Sequence, residues 1–118
     1  MLETSSKILT KNLQALSKYK NLNVSQFEHI NQYVIKVDTL VCFQSYESLI
    51  AVFDTATGIL ILGCDFDYSQ TTLKHLYKFI EVYCSYEIAS IIYNATNKKQ
   101  ALYNAIKRGV ILYDSEMK

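Results

Sequence analysis

Residues 45–79 constrain this chain more than any other stretch. They read SYESLIAVFD, then TATG, then ILILGCDFD, then YSQTTLKHLYKF. Two apolar, β-branched segments meet at a tight turn in which Gly58 can take positive φ. So short a link joins antiparallel strands, because a parallel join needs a crossover of a dozen residues or more. A hydroxyl-rich cap at Asp67 or Ser69 then launches an amphipathic helix, with Leu73, Leu76, Tyr77, Ile80 and Cys84 on its inner face. No catalytic constellation is recognisable in the stretch.

The flanking segments extend this pattern. Residues 4–19 carry Leu9, Leu13 and Leu16 at helical spacing, with Lys7, Lys11 and Lys18 on the opposite face. Asn23, with Gln26 three residues on, reads as a short capped helical turn that points Val24, Phe27 and Ile30 inward. Residues 33–43 and 46–53 read as strands, and residues 59–64 as a central strand covered on both faces. Residues 87–93 fit a strand by their Ile and Tyr content and a helix by their position. Asn97 and Gln100 mark a last helix that ends on Lys107, Arg108 and Gly109, before residues 110–113 re-enter as a strand. The expected architecture is a single α+β domain over residues 1–118, an antiparallel meander packed by helices.

Length and charge narrow the class. One domain of 118 residues, half of them hydrophobic, can bury a real core. Twelve basic and 11 acidic residues remove the bulk electrostatic argument for nucleic acid, though not a local basic patch. Cys42, Cys64 and Cys84 are odd in number and widely spaced, which suits buried reduced thiols in a cytoplasmic protein better than a disulfide framework or zinc site. No apolar run has the length of a signal peptide or membrane span, so neither export nor a membrane is expected.

Each chemical motif has a plainer alternative. Asp65 and Asp67 form a D-x-D after an apolar strand, a pattern that can hold Mg²⁺. No third carboxylate follows at useful spacing, so neither metal nor other cofactor is expected. Ser69, Thr71 and Thr72 offer hydroxyls and amides to an anion at a helix N-terminus, but the same residues serve as ordinary caps. His75, with Lys74 and Lys78, could touch phosphate or form a solvated helix flank. His29 has only Glu28 beside it, and neighbouring residues on a helix diverge. Ten tyrosines suit half-buried sites in a core without tryptophan. Near lysines they also suit stacking on single-stranded bases, as with Tyr103 beside Lys99 and Lys107, or Tyr77 beside Lys78. The Lys7, Lys11 and Lys18 stripe and the Lys98, Lys99, Lys107 and Arg108 group are the basic concentrations. Amphipathic helices carry such faces for solubility, and in a nucleic-acid binder the second group would carry phosphate contacts.

Ser45, Tyr46, Ile50 and Ala51, followed by Tyr68, Ser69, Thr71, Thr72, Lys74, His75 and Phe79, match a signature of the form S-Y-x-T-x-[IV]-A … Y-S-x-T-T-x-K-H-x-x-x-F. With Ser48 in place of the usual Thr, about a third of the chain resembles small uncharacterised proteins of Gram-positive phages and plasmids. That resemblance implies a mobile-element source, with no activity attached. In length and style the chain also resembles PrgU-like accessory proteins of pheromone-responsive conjugative plasmids. This second likeness implies a PUA-like half-barrel and a regulatory role through single-stranded or structured RNA. The function expected is therefore that of a small cytoplasmic regulator limiting gene expression by RNA binding. The alternative is an interaction module or inhibitor acting on a host or defence protein. An enzyme is not expected.

Overall fold

A computed structural model of the protein describes residues 22–118. The helix expected at residues 4–19, with its leucine and lysine faces, lies outside them. Among the described residues six strands form one sheet in sequential order: β1 Asn23–Phe27, β2 His29–Val37, β3 Leu40–Ser45, β4 Ser48–Asp54, β5 Ile59–Gly63 and β6 Leu112–Asp114. The first five make the antiparallel meander that their short links require. Between β5 and β6 run three helices, α1 Gln70–Tyr83, α2 Tyr86–Tyr93 and α3 Lys98–Lys107. This long crossover lets β6 pair with β5 in parallel, Ile61 against Leu112 and Gly63 against Asp114. The sheet is open, with β1 and β6 at its edges.

The core lies between the sheet and α1. Val34, Phe43, Ala51 and Leu62 are buried on the sheet side, with Leu73, Leu76, Phe79 and Ile80 facing them from α1. Four rings lock this layer. Phe79 stacks on Phe43 at 5.5 Å between centroids and meets Tyr83 at 5.4 Å, while Phe27 stands edge-on to Phe43 at 5.9 Å. The opposite face carries a second apolar row, Ile35–Cys42–Val52–Ile61, in register across β2 to β5.

Three expectations are corrected. Residues 23–27 form an edge strand, not a helical turn. A helix of so few residues is unstable alone, whereas pairing Val24 with Ile35 satisfies its backbone groups against β2. Phe27 does point inward, but Ile30 is 61% exposed. Residues 33–43 are two strands, because Asp38, at φ 52°, turns the chain between Val37 and Leu40. Asp tolerates the left-handed region by bonding its own backbone. The strand expected from Tyr46 begins at Ser48, since Tyr46, also at φ 52°, and Glu47 form the β3–β4 turn. Burial on the second face concentrates at Ile35, Val37 and Cys42, while β5 leaves Ile59 42% exposed. The ambiguous residues 87–93 are helical. Among the described residues no helix is long and apolar enough to cross a membrane.

Burial acts on the cysteines as well. It pushes the Cys42 thiol up to about 11 and the Cys84 thiol up to about 12. Cys64 is raised too, first by burial and then by the neighbouring Asp65 carboxylate. The thiolate is the nucleophile, so iodoacetamide at mild alkaline pH is expected to label the buried Cys42 only as fast as the native protein opens, and the part-exposed Cys84 more slowly than a free cysteine because its thiol stays protonated. Mass-spectrometric labelling against time checks this. Modification of either residue at the rate of a free cysteine would contradict it.

Candidate nucleic-acid interface and an adjoining cleft

The first turn of α1 organises both candidate sites. Ser69 is its N-cap: the hydroxyl accepts from the Thr72 amide at 3.0 Å, and the Leu73 amide donates to the Ser69 carbonyl at 3.0 Å. The Ser69 and Thr72 hydroxyls are 3.1 Å apart. The hydroxyl-rich sequence is thus first a cap, which holds the helix start rigidly against the sheet.

On one flank of this turn lies a basic groove of about 720 Å³. Gln70, Leu73, Lys74 and Tyr77 form its α1 wall, and Thr96, Asn97, Lys98 and Lys99 its α3 wall. Asn97 sets the second wall, because its Oδ1 caps α3 by accepting from the Gln100 amide at 3.0 Å. The Lys98 ammonium lies 5.7 Å from the centre of the Tyr77 ring, within cation–π range. Desolvation raises the Tyr77 phenol above its usual value, so the ring stays neutral.

The sequence-derived site residues separate into those that gather here and those that do not. Lys74, Lys98 and Lys99 converge on the groove, and Lys78 is exposed one turn beyond Lys74 on α1. Lys107 and Arg108 sit at the far end of α3, about 14 Å from Lys98 at 1.5 Å per residue. Tyr103 is engaged elsewhere. Its hydroxyl donates to Asp67 Oδ2, and its ring packs edge-on against Phe66 at 5.6 Å. That hydrogen bond is also the main reason its phenol titrates above the usual value. Tyr77, not Tyr103, is the ring beside the lysines.

His75 turns away from Lys74 toward His29, with ring centres 6.2 Å apart. Desolvation, then the His29 and Lys74 charges, lower its pKa below the ordinary histidine value. It is therefore largely neutral at pH 7 and a poor phosphate ligand.

On the other flank lies a cleft of about 520 Å³. Ser45, Tyr46, Glu47, Ser48 and Ile50 line it from the β3–β4 hairpin, and Asp65, Tyr68, Ser69, Thr71 and Thr72 from the loop and helix start. The Ser48 hydroxyl donates to Asp65 Oδ2 at 2.8 Å and ties the two sides together. Asp67, two residues on, points to α3, so the D-x-D divides between two partners. Among the described residues no three His, Cys, Asp or Glu side chains gather to hold a metal ion.

This cleft was missed as a unit by residue-by-residue reading. The two halves of the Ser-Tyr … Tyr-Ser-x-Thr-Thr signature close on one another here, and their separation in the sequence concealed it. The fold and these two sites define a small α+β domain with an open, largely antiparallel sheet and a ligand-sized cleft beside a lysine groove. Residues 4–105 match the model of a family of unknown function (DUF8033), and the chain belongs to that family. The match includes every residue of both sites. No match was found among curated proteins, and none among solved structures.

Proposed function

We propose that the protein is a small regulatory RNA-binding protein of a mobile genetic element, which limits gene expression by holding single-stranded or looped RNA. The observation that carries this reading is the meeting of Lys74, Lys98 and Lys99 around Tyr77 in one groove. Lysines tracking a backbone beside an aromatic ring are the usual means of holding a single strand. The near-neutral chain otherwise offers no broad positive field. Contacts are therefore few, and discrimination falls to stacking and shape.

The test is fluorescence anisotropy of labelled RNA and DNA oligonucleotides across a salt series. Three lysine contacts to a single strand give a slope of log affinity on log salt of about −2, a loss of roughly 20-fold between 50 and 200 mM. Replacing Lys74, Lys98 and Lys99 together with alanine should bring that slope close to zero. Replacing Lys107 and Arg108 should leave most of it. No binding to any RNA at low salt, from folded protein, removes this reading.

A second reading has its own support. Val82, Tyr86 and Tyr93 are 52%, 81% and 62% exposed around the end of α1 and along α2. Tyr86 and Tyr93 are seven residues apart and share a helix face. An exposed apolar and aromatic surface of this kind suits docking to a protein. It favours an interaction module or inhibitor of a host or defence protein if RNA binding fails.

A further inference from the structure

We propose that the cleft between the β3–β4 turn and the start of α1 receives one uncharged nucleobase ring. The inference rests on the RNA reading above and gives it a site of base discrimination.

The volume, about 520 Å³, is that of a small-molecule pocket. Its charge pattern disfavours anions. Among the described residues no Lys or Arg lines it, and the carboxylates of Glu47 and Asp65 repel phosphate. Opposite them, the N-terminal turn of a 14-residue helix presents amide dipoles that partly offset the carboxylates. An uncharged ring escapes that repulsion. The lining offers donors and acceptors together: hydroxyls from Ser45 and Thr71, and a carboxylate from Asp65 held by the Ser48 hydroxyl at 2.8 Å. A nucleobase edge carries the same mixture.

Two rings stand at the mouth with most of their surface free, Tyr46 at 54% and Tyr68 at 80% exposure. Both offer a stacking platform without first leaving a core. Tyr46 is held in the left-handed region at φ 52°, where a residue of its size is uncommon. Gln44 fastens that turn through a bond from its Nε2 to the Tyr46 carbonyl at 3.0 Å. The basic groove begins on the same helical turn: Thr71 and Thr72 line the cleft, while Gln70, Leu73 and Lys74 line the groove. A strand held by the lysines can therefore turn one base into the cleft.

The ring could belong to a strand or to a free nucleoside, and the experiment separates the two. Isotope-labelled full-length protein is titrated with adenosine, cytidine, guanosine and uridine, then with short homopolymeric RNAs of the same four bases, following backbone amide shifts. Binding is then measured for Tyr68→Ala and Asp65→Asn. Tyr68 is so exposed that its replacement leaves the core intact, which the amide spectrum verifies. One homopolymer is expected to bind about tenfold more tightly than the weakest, with shifts at residues 45–48 and 68–72. Tyr68→Ala should erase that preference with the salt slope unchanged, and Asp65→Asn should reorder the four bases. Nucleoside shifts in the cleft without any RNA binding keep the inference and overturn the RNA reading. RNA binding that depends on the three lysines but is indifferent to both cleft variants overturns the inference and keeps that reading. Cleft shifts from inorganic phosphate or spermidine, and none from nucleosides or RNA, overturn it as well.

Discussion

Replacing Phe79 with alanine is expected to remove about 3–5 kcal/mol of stability, the range for truncating a fully buried aromatic residue. Phe79 has no exposed surface. Its ring is stacked 5.5 Å from Phe43 on β3, edge-on at 6.4 Å to Phe27 on β1, and 5.4 Å from Tyr83 one turn along α1. These contacts fasten the helix to the sheet. Two of the partners, Phe27 and Phe43, come from strands that cannot close a gap without disturbing their ladders. A domain of this size has about 5–15 kcal/mol in all, so the loss is a large share of the total. Urea denaturation followed by circular dichroism measures the loss. A change below about 1 kcal/mol would mean that α1 is not held through this ring, since even partial collapse around such a cavity costs more.

Gly63→Ala should have the next largest effect, about 2–3 kcal/mol, the upper part of the range for overpacking. A methyl group there would lie 2.5 Å from the Met117 carbonyl oxygen and 2.7 Å from that of Leu49. Both obstacles are backbone, so no side chain can swing aside. The Met117 carbonyl also accepts the Cys64 amide at 2.9 Å, which clamps the C-terminal turn across the end of β5. Alanine must push away that turn or pry β5 from β4, and Asp65, which begins the cleft wall, follows directly. Gly58→Ala is the control. It meets nothing within 4 Å, so only its φ of 73° opposes the change, at about 1–2 kcal/mol for a left-handed residue. If Gly63→Ala proved no worse than Gly58→Ala, the clamp at Met117 would carry no weight.

Local chemistry was legible wherever one short segment decides its own conformation. Ser69 and Asn97 cap helices because each side chain reaches an amide three residues on, and nothing distant is involved. Gly58 and Gly109 turn the chain at positive φ for the same self-contained reason. The meander follows from links too short to allow a crossover. The inner face of α1 was legible in outline from its period, with Leu73, Leu76 and Ile80 buried.

Tertiary structure decided whatever depends on partners remote in the chain. Residues 23–27 became a strand because β2 offered an unpaired edge, which outweighed a weak capping signal. Asp38 and Tyr46 accept the left-handed region because hairpin pairing on both sides holds them there. Tyr103 is engaged by Asp67, 36 residues away. The groove needs residues of α1 and α3 brought to one place, and the cleft needs Ser48 to meet Asp65 across 17 residues. Residue type and spacing determined which side chains could bond or stack; only the closing of the sheet end against the first turn of α1 determined which of them face one another.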